Sequence, residues 1–371
     1  MLTKKLKSYP ALRCNMKKIV LGIETSCDDT SVGILSHENG RPEVLAHKTF
    51  GQEEILRTWG GVVPEIAARN HLQKIVPLLE TTTEKANIQL KDIDLIGVTS
   101  VPGLLGPLLT GLNAAKTMAM IAQKPIMPVN HLYAHLEAIH LTDDVQYPYV
   151  GLLISGGHSI FFLVKSRQEF QVLGSTIDDA AGEAFDKGGK LMGLGYPAGK
   201  IIDDIAKEGN PCAYEFPIGL KSSADCRLSF SGLKTSMRVF LEKNPSIAHD
   251  QESQEFKDLC ASYQNAIVSA LKLKTRYAYK KIVELGYSKN LPLVVGGGVA
   301  CNSAIRNSLI KTYQNVKFVD PRYCADNGAM IANYALLNID RAIPFPECLD
   351  LDARGRFINK KEFSGKTSKS K

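Results

Sequence analysis

The chain has 371 residues, a length that predicts two domains of roughly 150 residues or more rather than a single core. Hydrophobic residues make up 44% and charged residues 22%, which is ordinary for a folded protein and excludes a wholly disordered chain. No apolar run approaches the ~20 residues of a membrane-spanning helix, so we expect no membrane partner. The eight cysteines include no C-x-x-C pair, which argues against a cysteine zinc site and a disulfide-framed secreted domain.

The net charge of +7 is concentrated at the two ends of the chain. Residues 1–18 contribute +6 and residues 354–371 another +6, so the body from 19 to 353 carries −5. The net charge therefore does not argue for a nucleic-acid partner, and any RNA contact must come from local patches or from the tails.

The basic, acid-free residues 1–17 have the composition of a mitochondrial transit peptide, and on that basis we predict a mitochondrial protein. Two other interpretations stay open: a disordered basic arm, and a start codon misplaced upstream of Met16. At the other end, the composition of residues 354–371 is typical of a flexible basic tail that carries no information on the fold.

The apolar pattern of the first half predicts strands at the beginning, followed by alternating strands and helices. Two strands surround the polar loop 24–30, and a long helix begins near Pro64, where proline is tolerated in a first turn. A Gly/Pro loop at 101–106 separates a later strand from a second helix. The predicted strands are 19–23, 31–35, 44–50, 95–99 and 126–129, and the predicted helices are 64–84 and 111–122.

A similar opening recurs from residue 149. Two strands on either side of a tight turn at 155–158 precede helical segments and a further strand. Two halves that each begin with strand, small polar loop and strand indicate a duplicated nucleotide-binding α/β architecture with a mixed or largely parallel sheet. The predicted strands are 149–154, 160–165 and 291–295, and helical segments are predicted at 181–207, 230–242, 252–285, from about 302, and at 326–337.

His131 and His135 stand four residues apart on a predicted helix, so both imidazoles project from one face and can chelate one cation. Asp326, at the start of the last predicted helix, is the candidate third ligand; its alternative role is that of an N-cap. The histidine pair alone is also compatible with an ordinary helix surface, because about 0.15 such pairs are expected by chance.

Three glycine-rich turns, at 102–106, 155–158 and 296–298, are able to present backbone N–H groups to an anion, although turn chemistry explains each equally well. Walker A, G-x-G-x-x-G and G-x-S-x-G motifs are missing, which argues against a P-loop NTPase, a Rossmann dehydrogenase and a serine hydrolase.

A basic stretch with interleaved tyrosines is explained either as an RNA-contacting face or as a solvated helix. Its basic residues are Lys272, Lys274, Arg276, Lys280 and Lys281.

Six sequence motifs occur in a fixed order along the chain. Together they closely resemble the TsaD family of tRNA N6-adenosine threonylcarbamoyltransferases over about residues 18–337, and the basic N-terminal extension makes the chain most similar to mitochondrial members. The motifs are Ile23-Glu-Thr-Ser-Cys-Asp-Asp-Thr30, Ser155-Gly-Gly-His158, Ile177-Asp-Asp-Ala-Ala-Gly-Glu-Ala-Phe-Asp-Lys187, Ser229-Phe-Ser-Gly-Leu-Lys-Thr235, Gly296-Gly-Gly-Val299 and Ala325-Asp-Asn-Gly-Ala-Met330.

The resemblance implies the actin/Hsp70/sugar-kinase (ASKHA) fold, in which two related α/β domains flank a nucleotide cleft. We place the first domain at 18–147 and the second at 148–325, with a terminal helix at 326–345 packing back on the first. The implied activity is transfer of threonylcarbamoyl from threonylcarbamoyl-adenylate to N6 of the adenosine 3′ of the anticodon in ANN-decoding tRNAs, a metal-assisted acyl transfer that releases AMP.

The resemblance also implies the site and the partners. One divalent cation per subunit is expected, with iron or zinc as the first choices, together with tRNA, a separate synthase that supplies the adenylate, and a homodimer. No residue is predicted as the general base. The implied metal ligands are His131, His135 and Asp326, and the implied substrate-binding residues are Leu153, Ile154, Ser155, Gly156, Gly157, Asp186, Gly199 and Asn302.

The chain departs from the family pattern at two places. The usual H-x-E-G-H has Tyr133 and Ala134 in its middle, which removes a glutamate, and Pro107 replaces the serine after the P-G-L-x-G turn. Neither change removes an implied ligand. Two rival functions stay open at this point: an ATP-dependent kinase or ATPase of the same fold, and a non-catalytic scaffold like the degenerate paralogues of the family.

Overall fold

The computed structural model of the chain describes residues 17–59 and 61–356. The predicted transit peptide, apart from Lys17, and most of the predicted tail lie outside the described residues. The strands are β1 Lys18–Glu24, β2 Thr30–His37, β3 Glu43–Phe50, β4 Leu95–Val101, β5 Ile126–Asn130, β6 Tyr149–Ile154, β7 Ser159–Ser166, β8 Glu169–Ser175, β9 Leu293–Gly296 and β10 Val316–Phe318. The α-helices are α1 Glu53–Arg57, α2 Pro64–Ala86, α3 Leu105–Ala122, α4 His131–Glu137, α5 Ala181–Leu191, α6 Ala198–Ala206, α7 Ser231–Lys243, α8 Gln254–Glu284, α9 Ser303–Thr312, α10 Pro321–Cys324 and α11 Gly328–Leu337.

The strands form two five-stranded sheets with the same topology. In the first sheet the order is β3-β2-β1-β4-β5, with antiparallel pairing among β1, β2 and β3 and parallel pairing of β1 with β4 and β4 with β5. In the second sheet the order is β8-β7-β6-β9-β10, with antiparallel and parallel pairs in the same positions. The duplicated α/β architecture with mixed sheets, predicted from the repeated strand–loop–strand opening, is therefore confirmed.

Helix α11 comes late in the chain but packs on the first sheet. A Cβ on Gly22 of β1 would lie 2.1 Å from the carbonyl oxygen of Gly328, and a Cβ on Gly328 would lie 2.2 Å from the amide nitrogen of Gly33 in β2. Only residues without a side chain permit this approach of helix to sheet. The close packing brings the segment just before α11, which contains Asp326, to the end of β1 and the start of β2, where Gly328 N–H donates to Ser31 Oγ at 2.9 Å.

Several predicted elements differ from the observed ones. The helical segment predicted at 181–207 is two helices, because Gly193 has a φ of 76° and Pro197 directly precedes α6. Helix α3 begins at Leu105, six residues before its predicted start. Strands β8 and β10 are not among the predicted elements, since β8 is mostly half-buried and β10 has three residues, so neither carries a clear apolar alternation.

After α11 the chain returns across the first domain. The backbone of Ile343 pairs with that of Ile126 in β5, and the side chains of Cys348 and Ala353 are buried in the same core as β1 and β4. This return runs through the 3₁₀ turn Glu347–Asp350 and ends over the loop that follows β4. Within residues 17–59 and 61–356, no helix has both the length and the apolar character needed to cross a bilayer.

Candidate metal centre and substrate site

Helix α4 presents two histidines from its buried face. The helix starts directly after β5, and the Asn130 side chain caps it by accepting hydrogen bonds from the backbone N–H groups of Leu132 (3.0 Å) and Tyr133 (3.4 Å). The cap holds the first turn in place, so that the rings of His131 and His135 meet edge to face with centroids 4.6 Å apart. Their Nε2 atoms are separated by 3.2 Å.

Asp326 completes the group from the other half of the chain. Its Oδ1 lies 3.0 Å from His135 Nε2 and 3.7 Å from His131 Nε2. The N-cap of α11 is Asn327, whose side chain accepts the backbone N–H of Met330 at 2.8 Å. The alternative prediction, that Asp326 caps this helix, is therefore wrong: the helix begins two residues after Asp326, and the neighbouring asparagine meets its free N–H.

The three side chains suit a divalent cation. Their donor atoms lie within 4.8 Å of one another, and bonds of about 2.0–2.2 Å to a single ion place neighbouring ligand atoms roughly 3–3.5 Å apart. Two facing imidazole nitrogens and a carboxylate oxygen are also a donor set that iron and zinc both accept. The structure brings the predicted ligands together, and a cation fits their chemistry.

A buried carboxylate that the sequence did not reveal as part of the site orients His131. Glu24, at the end of β1, is fully buried; its Oε2 accepts from His131 Nδ1 at 3.0 Å and from Thr99 Oγ1 at 2.6 Å, and its Oε1 accepts from Ser26 N–H at 2.5 Å. Burial opposes the charged imidazole, but the charges of Glu24 and Asp326 raise the pKa of His131 to about 9. Glu24 thus directs Nε2 of His131 toward Asp326.

His158 is a second residue of the site that was not predicted as one. Its ring centroid lies 6.5 Å from that of His131, at the end of the Ser155–His158 turn. Burial, together with the electrostatic influence of the neighbouring imidazoles of His131 and His135, lowers the pKa of His158 to about 4, so its imidazole is neutral at physiological pH. Its place at the end of a glycine-rich family motif is the only sequence signal for it.

The glycine-rich turn after β6 exposes backbone rather than side chains. Leu153 and Ile154, two of the implied substrate residues, are fully buried, backbone included, whereas space is open above Gly156 and Gly157. The first turn of α5 supports this loop, because Gly182 N–H donates to the carbonyl of Ser155 at 3.3 Å. The turn therefore presents open backbone at Gly156 and Gly157, next to His158.

The remaining predicted substrate residues line the second domain and hold helix ends. Asp186 Oδ1 accepts from the backbone N–H of Ala198 at 2.8 Å and so caps α6 next to Gly199; burial raises the pKa of Asp186. Asn302 caps α9 through the N–H of Ile305 and donates its amide to Gln264 at 2.6 Å. In the described part of the chain, neither Asp186 nor Asn302 is hydrogen-bonded to any of the three metal-ligand residues.

A cavity of about 380 Å³ opens beside His158, and none of the three metal-ligand residues lines it. It lies between the loop after β4 and the turn that carries Gly157 and His158, and Arg356 contributes to its wall. Its other lining residues are Pro102, Leu132, Ser159, Ile160, Ser175, Thr176 and Gly355.

The departures from the family pattern leave the ligands in place. Tyr133 points away from the histidines and stacks on Phe170, with centroids 3.9 Å apart and planes at 6°. The carboxylate that contacts His131 is that of Glu24, at the end of β1. Pro107 is the third residue of α3, where its missing N–H would have no partner within the helix.

The basic stretch of α8 is only partly a surface. Lys274 is fully buried, and its Nζ donates to the backbone oxygens of Leu220, Ser223 and Asp225 at 2.9–3.2 Å. This ammonium group holds the 220–225 loop and is not accessible to RNA, so its inclusion among the possible RNA contacts was wrong. The other four basic residues of the stretch are at least partly exposed.

The fold and the site together define the class of protein to which this chain belongs. The two-domain fold and the histidine–carboxylate centre define an ASKHA-type protein with a candidate metal site between its domains. The similarity to the full-length structure of HypF has a TM-score of 0.52 at 12% identity over 89% of this chain and 47% of that chain, which supports the fold alone. The predicted ASKHA fold is confirmed by the topology and by this match.

Sequence similarity is more specific. Residues 43–333 match the family described as TsaD, tRNA N6-adenosine threonylcarbamoyltransferase. Proteins of that name from Anaeromyxobacter sp. (strain Fw109-5) and Sinorhizobium medicae (strain WSM419) are 43% and 40% identical over 87% and 91% of this chain, and over 96% and 94% of their own lengths. The chain belongs to the TsaD family, whose members are transferases.

Proposed function

We propose that this chain transfers threonylcarbamoyl from threonylcarbamoyl-adenylate to N6 of the adenosine 3′ of the anticodon in ANN-decoding tRNAs. The N6 amine attacks the carbamoyl carbonyl carbon, the bond from that carbon to the phosphate oxygen breaks, AMP leaves, and the amine loses a proton. The observation that carries the proposal is the convergence of His131, His135 and Asp326 beside the glycine-rich turn in a member of the TsaD family.

His131, His135 and Asp326 would hold the cation, which we propose to be iron or zinc. A bound divalent cation supplies charge stabilisation to the carbonyl and phosphate oxygens of the adenylate. The family as a whole is metal-dependent, and elemental analysis of the purified protein tests the identity of the ion.

The glycine-rich turn and the helix caps of the second domain are proposed to bind the adenylate. Open backbone at Gly156 and Gly157 is available to oxyanions, and the absence of side chains there lets a phosphate approach closely. Asp186, Gly199 and Asn302 are proposed as further contacts, since Gly199 and Asn302 lie at the starts of α6 and α9 and Asp186, on α5, accepts from the first N–H of α6. The adenylate is already activated, so positioning of the amine supplies much of the rate and no protein nucleophile is needed.

The decisive experiment supplies the protein with an unmodified ANN-decoding tRNA transcript and threonylcarbamoyl-adenylate, and follows modified adenosine by mass spectrometry. Transfer that depends on His131 and Asp326 supports the proposal. A control with ATP and a panel of small molecules tests the kinase alternative, for which phosphoryl transfer without tRNA is the expected result. Absence of transfer by protein with full metal content would favour the scaffold alternative.

Mitochondrial location, and with it the mitochondrial subtype, is a further part of the proposal. It is supported by the composition of residues 1–17, which contain basic residues and no acid. Fusion of residues 1–25 to a fluorescent reporter tests it. Mitochondrial fluorescence is expected, and a diffuse cytosolic signal would favour a start at Met16.

We also propose that two copies associate through α2 and α3. These helices lie side by side and expose Leu72 (69%), Val76 (55%) and Leu105 (52%), an apolar strip that association would bury. Light scattering of the purified protein is expected to give the mass of a dimer, and the Leu72→Lys variant is expected to give the mass of a monomer. A monomeric wild-type protein would contradict the proposed association of two copies.

A further inference from the structure

A buried histidine of α2 holds the loop between β1 and β2. His71 is fully buried, and its ring contacts this β1–β2 loop, residues 25–29, and the first residue of β2. Nδ1 lies 2.7 Å from the hydroxyl oxygen of Thr30, and Nε2 lies 3.0 Å from the carbonyl oxygen of Cys27. Two hydrogen bonds from one rigid ring thus fix the second half of the loop relative to α2.

The two partners determine which nitrogen of His71 carries the hydrogen. A carbonyl oxygen only accepts, so Nε2 is protonated and donates to Cys27. Burial lowers the pKa of His71, so the ring is neutral at physiological pH, and its unprotonated Nδ1 accepts the hydroxyl of Thr30. Both ring nitrogens are therefore engaged by the loop, and neither is available to a substrate or an ion.

The β1–β2 loop contacts the metal-ligand residues on its other side. Ser26 places its hydroxyl 3.3 Å from Nδ1 of His131. Burial and, after it, the charge of Asp326 raise the pKa of both Asp28 and Asp29, so their carboxyl groups lie within electrostatic range of that ligand. A displacement of the loop would therefore change the surroundings of two of the three ligand residues.

We propose that His71 is a positioning residue of the metal centre, which holds the β1–β2 loop in place beside His131 and Asp326. Residues 27–29 are only half-buried, so the loop gains little from apolar packing and its conformation depends on the hydrogen bonds that it makes. The inference rests on the proposed function for the presence of a cation. It adds to the ligand set a residue of α2 that acts on the ligands through the loop.

The test compares the zinc affinity of full-length variants by competition with a chelator. His71→Phe keeps a planar ring of similar size and removes both hydrogen bonds to the loop, whereas Thr30→Val removes one of them. The dissociation constant for zinc is expected to rise about three- to tenfold in His71→Phe and about twofold in Thr30→Val, less than for loss of a direct partner of a ligand. The double variant is expected to match His71→Phe, because both changes break the same hydrogen-bonded unit.

Two controls separate positioning from a general loss of stability. Thr82→Val changes a buried residue of the same helix, whose hydroxyl has no hydrogen-bond partner among the described residues. Lys274→Met removes buried hydrogen bonds in the second domain and is expected to lower the melting temperature. Neither control is expected to change zinc affinity. Unchanged affinity in His71→Phe would overturn the proposal, and so would equal weakening in Lys274→Met; if His71→Phe does not fold, unchanged affinity in Thr30→Val overturns it.

Nitrogen-15 NMR of the histidine rings tests the hydrogen bonds directly. The ring signals of His71, identified by their absence from His71→Phe, are expected to be those of a neutral ring with its hydrogen on Nε2, and a hydrogen on Nδ1 alone would overturn the proposal. A wild-type protein that binds no zinc would overturn the metal centre and this inference together. Failure of the transferase assay, with zinc affinities as expected, would refute the proposed function alone.

Discussion

Replacing Glu24 with glutamine removes the carboxylate that orients His131 and changes little else in size. The carboxylate accepts three hydrogen bonds, from His131 Nδ1, Thr99 Oγ1 and Ser26 N–H. A glutamine amide has one oxygen, so its NH₂ group must face either Ser26 N–H or the His131 and Thr99 donors. In each arrangement a buried donor faces the NH₂ group and has no acceptor, which lowers the free energy of unfolding by about 1–3 kcal/mol.

The effect on metal binding is the more specific consequence. His135 Nδ1 is buried without a hydrogen-bond partner in the described part of the chain, so the contact between Glu24 and His131 is the one that orients a ligand histidine through its Nδ1 atom. Removal of such an outer carboxylate typically weakens metal binding by about 10–100-fold. We therefore expect the dissociation constant of Glu24→Gln for zinc to rise by this factor in competition titrations with a chelator.

Thr99→Val is the matched control. It removes one of the hydrogen bonds to Glu24 but keeps the contact between Glu24 and His131. We expect stability to fall by about 1 kcal/mol and metal affinity to change by less than about threefold. If Glu24→Gln bound zinc as tightly as the wild-type protein, or if Thr99→Val weakened binding equally, Glu24 would not orient the ligand.

Contacts at three other places in the molecule lead to further predictions. Asp326→Ala should lose metal and transfer activity with little change in melting temperature. Asn327→Ala should keep the metal and lose about 1–2 kcal/mol of stability, because Asn327 is the helix cap. Elemental analysis and thermal melts distinguish the two variants, and equal loss of metal from both would contradict the role of Asp326 as a ligand. Lys274→Met leaves three backbone carbonyls and a hydroxyl without their donor, so the free energy of unfolding in urea should fall by roughly 3 kcal/mol. The exposed Lys272→Met should lower it by less than about 0.5 kcal/mol. Similar values for both variants would refute the structural role of Lys274. Burial opposes ionisation of Asp178, but hydrogen bonds from residues 229–231 hold its pKa below the ordinary value, so its stabilisation is present above about pH 4 and is lost at lower pH. The difference in unfolding free energy between wild type and Asp178→Ala should therefore become smaller from pH 6 to pH 3. A constant difference would be evidence that the ionised carboxylate of Asp178 does not stabilise the fold.

Much of the architecture could be predicted from the sequence, because strands, helices and turns depend on patterns among neighbouring residues. The alternation of apolar runs located β1, β2, β6 and β7 within one or two residues, and the repeated strand–loop–strand opening predicted the duplication. The motifs named the family and with it the ligand set of His131, His135 and Asp326. The prediction failed at β10, where the local pattern was weak, and at the break between α5 and α6, which Gly193 and Pro197 mark but the prediction missed.

The surroundings of the site were decided by the tertiary structure alone. Glu24 and His131 are 107 residues apart, and no local spacing indicates that a carboxylate on β1 meets an imidazole on α4. The same holds for the burial of Lys274 and for the passage of Arg356 past the loop after β4, which follow from how α8 and the C-terminal segment pack. Residue types and periodicity determine which elements form. Contacts between distant elements are set by the docking of whole sheets and helices, because the packing energy is shared among many residues that lie far apart in the chain.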